Sequence, residues 1–383
     1  AATPAADLFG LACVLVEMLT GKGLFDAPTP QAMITKHFIP LQLPEVWPDG
    51  CPPKLNRILE GALNPDPEKR LELGEFVDAL SQRRASQKEP GQVLGPTTLR
   101  QTGPHSSKPI PSSHEELVIK LADGVEMAFV CVPAGEFWMG SDENDPDADQ
   151  DEKPKHKVYL AEYWIGKYPV TNRQFEAFIK ASRYRTRAEL DDYSWEWDDK
   201  KGKCKKVSGL CWQKPQRNQA VSMKMDHPVV HVSWLDAQAF FQWASKVSGR
   251  TIDFPSEAQW EKAARGPDGR KYPWGNEEPG ARLLNYDNNI GETTEVGGYP
   301  AGVSPFGAHD LAGNVWEWME DWYADDYYSI SSTENPTGPT RGDFIVMRGG
   351  SWEDDMEFVR SSVRGWCYPD FKSLSLGFRC AMD

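Results

Sequence analysis

The sequence predicts an α+β domain with much irregular structure, preceded by a small all-α unit. Three observations carry that prediction. Apolar and polar residues alternate from Val118 to Ala122, ahead of a strand-like run from Met127 to Val132. Later segments repeat apolar residues at helical spacing behind capping residues. Fifteen tryptophans in 383 residues call for aromatic-rich irregular packing rather than a helical bundle. Composition divides the chain into a helical unit over 1–84, a linker over 85–114 and the mixed domain over 115–383.

In the first unit, Asp7 to Thr20 is apolar nearly all round and closes on Gly21, which predicts a buried helix with a glycine C-cap. Pro52 and Pro53 open a second helix to Leu63, Asn64-Pro65-Asp66-Pro67 breaks it, and Leu73 to Leu80 make a third. The linker turns to Gln, Ser, Thr, Pro and Gly with hardly any core formers, and His105 and His114 in or beside it are read as solvated. In the mixed domain, Pro133-Ala134-Gly135 is read as the turn of a hairpin whose returning strand is Glu136 to Met139. Asp142 to Glu152 carries seven acids in eleven positions but lacks the ligand spacing and central glycine of an EF-hand, so a mobile acidic loop is expected. Thr171 caps a helix whose Phe175, Phe178 and Ile179 share a face; Ser233 caps another from Trp234 to Val247; Ser256-x-x-Gln259 opens a third with a capping box. Tyr184 to Gln219 reads as a long loop insertion.

Trp316 and Trp318 stand two apart, so no helical face holds both. In an extended segment they share one side with Glu317 on the other, as in a core corner beside a glycine turn. His227 and His231 are four apart, but Pro228-Val229-Val230 favours an extended chain, in which the imidazoles stand about 13 Å apart and share no ion.

The net charge of −15 argues against a nucleic-acid partner. No apolar run reaches the ~18 residues of a membrane span, and the start shows no signal pattern. A soluble, cytoplasmic, monomeric chain is expected, cut from or degenerated from something longer. Seven cysteines, at 13, 51, 131, 204, 211, 367 and 380, show no C-x-x-C spacing, which argues against structural zinc. Cys131 and Cys380 are read as buried thiols; Cys204 and Cys211 could pair only in an oxidising compartment.

Eight ordered motifs then converge on one family. They are Val132-Pro133-Ala134-Gly135-Glu136-Phe137-Trp138-Met139-Gly140-Ser141, Pro169-Val170-Thr171-Asn172, His227-Pro228-Val229-Val230 with Val232-Ser233-Trp234, Pro255-Ser256-Glu257-Ala258-Gln259-Trp260-Glu261, Tyr272-Pro273-Trp274-Gly275, Gly313-Asn314-Val315-Trp316-Glu317-Trp318, Arg348-Gly349-Gly350-Ser351-Trp352 and Gly377-Phe378-Arg379. From about Leu117 to Cys380 the chain resembles the formylglycine-generating-enzyme, or sulfatase-modifying-factor, domain, a decorated C-type lectin fold. The resemblance implies a structural calcium held by Asp310, the carbonyls of Gly313 and Val315, and Glu317. It implies a second calcium near Asn285 and the Tyr286 carbonyl, with acids near Asp287 or Glu292. Catalytic members bind copper(I) through a cysteine pair; alignment sets Met356 and Ser361 at those positions, so no copper is expected. The histidine-rich helical domain that related sulfoxide synthases use for iron is not seen either.

The first unit resembles the end of a serine/threonine kinase C-lobe, with Asp7 and Arg70 at matching positions. It lacks the glycine-rich loop, strand lysine, H-R-D and D-F-G segments, so no ATP binding is expected. The frame around Arg348 to Arg379 also looks like the variable proteins of diversity-generating retroelements, whose ligand-binding positions occupy this segment. That likeness singles out Trp352, Glu353, Asp355, Glu357, Phe358, Val363, Trp366, Cys367, Tyr368, Phe371, Ser373 and Ser375 as a recognition surface for a protein or glycan ligand. A non-catalytic binding protein is the expected function. The alternatives are an oxidoreductase of the sulfatase-modifying type acting on a protein or small-molecule thiol, and a regulatory kinase fragment.

Overall fold

In a computed structural model the described residues are 115–198, 203–216 and 221–383; the helices and linker read over 1–84 and 85–114 lie outside them. The chain divides into two units, Ala1–Gln101 and Thr102–Asp383, and everything below concerns the second. Among the described residues no helix is long and apolar enough to cross a membrane.

Alternation builds the first strands. β1 (Glu116–Ala122) buries Ile119 and Leu121 and turns Val118 outward, and β2 (Val125–Val132) pairs with it antiparallel. The hairpin expected at Pro133-Ala134-Gly135 does not form there. Asp123-Gly124, with Gly124 at φ +69°, closes β1 on β2 instead. Asp-Gly between alternating strands supplies the positive φ that a tight turn needs. Past Pro133 the chain leaves this sheet, and β3 (Gly135–Met139) pairs with β4 (His156–Leu160). β5 (Tyr163–Gly166) then takes the other edge of β2.

The acidic loop is anchored, which corrects the expectation of a mobile one. Glu152 is fully buried, accepts from Arg360 at 2.8 and 2.9 Å, and accepts from the Ser141 hydroxyl at 2.8 Å. Asp151 accepts from the Tyr323 hydroxyl at 2.8 Å. Two of the seven charges are thus spent on the domain interior, and net loop charge does not reveal that.

The capping residues work as the sequence implies. α1 (Asn172–Ser182) starts at a Thr171–Gln174 capping box. After the short α2 (Arg187–Asp191), the segment read as a loop forms a hairpin, β6 (Tyr193–Asp198) on β7 (Lys203–Ser208), in which Trp197 faces Cys204. Tyr193, Trp195 and Trp197 alternate with Ser194, Glu196 and Asp198, a period-two strand signal that the loop reading passed over, whereas the lysine-rich β7 carries no such pattern. Cation–π contact does the packing: the Lys206 ammonium lies 4.1 Å from the Tyr193 ring and 5.2 Å from Trp195. α3 (Trp234–Ser248) runs from Ser233 to Gly249, and α4 (Glu257–Arg265) opens at Ser256.

β8 (Trp316–Trp322), β9 (Ile345–Arg348), β10 (Gly365–Cys367) and β11 (Leu376–Phe378) form a sheet in the order β10-β9-β8-β11, with β11 parallel to β8. β12 (Ala381–Met382) completes the first sheet as β1-β2-β5-β12. One core gathers the aromatics of α1 and α3 on Phe378, whose ring meets Phe240 and Phe241 edge-on at 5.5 and 5.4 Å. A second surrounds Trp260 of α4 with Val346, Met319 and Tyr163.

Four buried arginines tie the closing segment to this frame. Arg348 pairs with Glu261, Arg364 with Glu257 at 2.8 Å, Arg360 with Glu152 at 2.8 Å, and Arg379 with Glu317 at 2.6 Å. Breaking such a buried pair by removing one partner costs about 3–5 kcal/mol, because the other charge is left without a counterion. The loops between Arg348 and Arg379 are therefore pinned at both ends and twice in between.

Candidate functional site

Those pinned loops and the β6–β7 hairpin enclose a cleft of about 560 Å³. Trp316 of β8, Met347 of β9, Cys367 of β10 and Leu376 of β11 contribute sheet residues; Ser351 to Phe358 form one side and Glu196, Trp197 and Cys204 of the hairpin another. Gly365 makes room for the Trp316 ring, since a Cβ there would stand 3.0 Å from it. The Gly349-Gly350 turn aims the loop: Gly350 sits at φ +69°, where a Cβ would also meet the Phe358 carbonyl at 2.7 Å.

Asp354 organises the loop. One carboxylate oxygen accepts from the Ser351 amide at 2.9 Å, from its hydroxyl at 2.5 Å and from Trp316 Nε1 at 2.9 Å. Burial pushes its carboxyl up from the ordinary range, and these hydrogen bonds pull it back down. Ser351-x-x-Asp354 is the sequence signal for this turn. On the hairpin side, Trp195 stacks on Phe371 at 6.0 Å and donates its backbone N–H to the Lys372 carbonyl at 3.0 Å.

Seven of the residues singled out from sequence line the cleft: Glu353, Asp355, Phe358, Cys367, Phe371, Ser373 and Ser375. The other five do not. Trp352 and Val363 are buried in the domain, and Glu357 is exposed outside the lining. Trp366 and Tyr368 project from the opposite side of β10, onto Phe344 at 4.5 and 4.7 Å, because adjacent strand residues alternate faces. Trp316, Trp197, Glu196 and Cys204 were missed as site residues. The three hairpin residues, Glu196, Trp197 and Cys204, are more than a hundred residues from the C-terminal loops, so no local pattern links them.

The cysteines separate by environment. Cys380 is buried, Cys131 is half-buried rather than buried, and Cys204 and Cys211 are free rather than paired. Cys204 and Cys367 share the cleft and lie within electrostatic reach of each other. Burial pushes the Cys367 thiol up to about 12, and burial with the Glu353 charge raises Cys204. Met356 is exposed and Ser361 wholly buried, so the two aligned positions do not share one environment.

The histidines have separate partners. His231 Nε2 faces the Pro215 carbonyl at 2.9 Å and its Nδ1 faces the Ser194 hydroxyl at 2.7 Å; burial lowers it to about 4. His227 Nδ1 faces the Thr293 hydroxyl at 3.1 Å.

At the first calcium candidate, Asp310 is buried at φ +56° and accepts from the Gly297 amide at 2.7 Å. Burial raises its carboxyl to about 6, against the pull of that bond and of Arg379. Glu317 accepts from Arg379 at 2.6 and 2.7 Å and from Trp260 Nε1 at 2.8 Å. The Gly313 carbonyl accepts from the Val315 amide at 2.9 Å. At the second candidate, Asn285 Oδ1 is buried with no hydrogen-bond donor, whereas the Tyr286 carbonyl accepts from Asn289 and Glu292 pairs with Lys224 at 2.7 Å. Asp310 and Asn285 therefore fit oxygen ligands; Glu317 and Glu292 already face cationic side chains. Among the described residues no group of three or more His, Cys, Asp or Glu converges on one point.

Fold and cleft together define a mixed α/β domain whose C-terminal loops are tied to the sheet and helices by buried arginines. The chain belongs to the sulfatase-modifying-factor family: residues 117–383 match the sulfatase-modifying factor enzyme 1-like domain. It is 33% identical over 307 residues to the formylglycine-generating enzyme of Thermomonospora curvata, covering 72% of this chain and 99% of that protein. An inactive C-alpha-formylglycine-generating enzyme 2 of Bos taurus is 32% identical over 296 residues, covering 69% and 90%. The serine/threonine-protein kinase pkn1 of Chlamydia caviae is 35% identical over 266 residues, 67% of this chain and 38% of that one, a kinship that fits the kinase-like reading of the first unit. Among solved structures, PvdO of Pseudomonas aeruginosa superposes with a TM-score of 0.58 at 26% identity, covering 73% of this chain and 100% of that one. Treponema denticola variable protein 1 gives 0.54 at 21%, covering 70% and 98%, which shows the fold alone.

Proposed function

We propose that the domain is a non-catalytic recognition module whose ligand, a protein or glycan segment, enters the cleft between the β6–β7 hairpin and the C-terminal loops. The observation that carries this reading is the cleft itself: about 560 Å³, aromatic and acidic, and lined by loop residues held from beneath by the buried ion pairs. Concave, mostly preformed sites with a few oriented polar groups are the usual form of a ligand site. A family member whose name declares it inactive is consistent with binding without turnover. A near-copy of the coding segment for residues 348–379 beside a reverse-transcriptase gene would extend the proposal to retroelement diversification.

One observation favours the oxidoreductase reading: Cys204 and Cys367 share the cleft. Against it, both thiols are shifted upward, and the thiolate is the nucleophile and the soft-metal ligand. The test is incubation of the full chain with copper(I), oxygen and a cysteine-containing peptide, read by mass spectrometry. No peptide oxidation above the rate of a Cys204→Ser/Cys367→Ser variant is expected. Oxidation that disappears in that variant overturns the non-catalytic reading.

For calcium, we propose two sites, with Asp310 as the side-chain ligand of the first and Asn285 as that of the second, each completed by neighbouring carbonyls. The contribution of the first would be to fix the turn on which β8 begins.

A further inference from the structure

Two of the free thiols line the cleft from different elements, one from the hairpin and one from the sheet beneath it. Cys204 lies on β7 opposite Trp197, and directly paired residues of an antiparallel hairpin share a face. Trp195 is two places before Trp197 on β6, so it shares that face as well. Trp195 stacks on Phe371 at 6.0 Å, which turns this face toward the C-terminal loops. Cys367, at the end of β10, lines the cleft together with Phe371, and the two thiols lie within electrostatic reach of each other. Cys131, Cys211 and Cys380 lie outside the lining. The sequence points to Cys211 as the partner of Cys204 because it is near along the chain; the fold offers Cys367 instead.

We propose that Cys204 and Cys367 form a reversible disulfide that staples the β6–β7 hairpin to β10 and narrows the cleft. A low-molecular-weight disulfide, such as that of glutathione, supplies the oxidising equivalents. The Cys204 thiolate attacks one of its sulfurs, forms a mixed disulfide and expels the first small thiolate. The Cys367 thiolate then attacks the Cys204 sulfur and expels the second. Both protein thiols are oxidised, the small disulfide is reduced to two thiols, and the two protein protons pass to them. Access sets the order, since Cys204 is exposed and Cys367 half-buried. Burial raises both thiols, with the Glu353 charge adding to Cys204 and the Asp370 charge to Cys367, so the exchange is slow near neutral pH. Pairing brings the two β-carbons to about 4 Å. Hydrogen bonds from Ser194 and Trp195 to the Lys372 carbonyl hold the base of the hairpin, and Cys204 stands toward its tip, so the closing movement is one of the tip about that base. In a reducing compartment such a bond is transient and follows the oxidant.

The test incubates the reduced full chain with glutathione disulfide at about pH 8.5, where more of each thiol is ionised, and maps it by non-reducing peptide mass spectrometry. A Cys204–Cys367 linkage with loss of two hydrogens is expected, reversed by dithiothreitol. Cys367→Ser should stop at a glutathione adduct on Cys204. Cys204→Ser should slow modification of Cys367 at least about tenfold, because the exposed entry thiol is gone. In the linked chain the amides of residues 193–198 should exchange at least about tenfold more slowly than in the dithiol form. A Cys204 adduct as the end product in the wild type, or a link from Cys204 to any other cysteine, overturns the pairing. A Cys204–Cys367 link that leaves hairpin exchange unchanged overturns the staple. No ligand takes part in the measurement, so either failure leaves the recognition reading of the cleft as it stands.

Discussion

Trp366 and Cys367 adjoin in sequence yet face opposite sides of β10, and this single alternation divides the C-terminal aromatics into two groups. Phe358 and Phe371 border the cleft, whereas Trp366 and Tyr368 rest on Phe344 at the far side, 47% and 57% exposed. Replacing Trp366 and Tyr368 together by Ser removes two exposed ring contacts, worth about 1–2 kcal/mol in all. Trp318→Ala, by contrast, empties a fully buried site whose indole donates to the Val232 carbonyl at 3.2 Å, at a cost of about 3–5 kcal/mol. Urea denaturation of the two variants checks the ranking; equal losses would put the far-side rings in the core. The face of Trp318 was legible because Glu317 between two tryptophans sets the period. The faces of Trp366 and Cys367 were not, because a three-residue strand beside a proline turn carries too little alternation to fix its register.

Among the described elements, the longer helices α1, α3 and α4 were legible, whereas the short α2 and the β6–β7 hairpin, both inside the segment read as a loop, were not. Thr171, Ser233 and Ser256 each announce a helix through a side chain that must satisfy an end amide, which is local chemistry. The aromatic alternation of β6 is matched by no apolar pattern in the lysine-rich β7, and the hairpin is held by contacts from far away: Trp195 on Phe371, and Lys372 on Asp191 at 2.5 Å and over Tyr193 at 4.4 Å. Its attachment is correspondingly separable from the core. Trp195→Ala should free the hairpin, giving faster amide exchange at residue 195, whose N–H meets the Lys372 carbonyl. The melting temperature should fall by no more than a few degrees, and ligand binding in the cleft should be lost. Global unfolding by this substitution would show instead that the hairpin belongs to the cooperative core.

Across the whole molecule, stability depends on how charge is balanced inside it. The Glu–Arg pairs neutralise four carboxylates, and Asp310 is the buried acid near Arg379 that has no ion pair of its own among the described residues. Burial raises Asp310 to about 6 from an unfolded value near 3.8. Without a cation the folded state then holds this proton more tightly than the unfolded chain. This group's contribution therefore falls as pH rises from about 4 to 6 and stays unfavourable above, by up to ~3 kcal/mol. A bound calcium reverses the sign, because it makes the charged carboxylate the favoured form. In chelator at pH 7, Asp310→Asn should melt higher than wild type, since the amide keeps the Gly297 hydrogen bond without the charge; the gap should close below pH 4. In millimolar calcium the order should invert, with wild type the more stable. The sequence marks Asp310 only as an oxygen ligand, and its desolvation appears only once the surrounding turns are packed. Glu317→Ala cannot make this test, because it also strands Arg379. An Asp310→Asn effect of the same sign and size with calcium and with chelator would remove calcium from the site and leave Asp310 as a turn residue bound to Gly297.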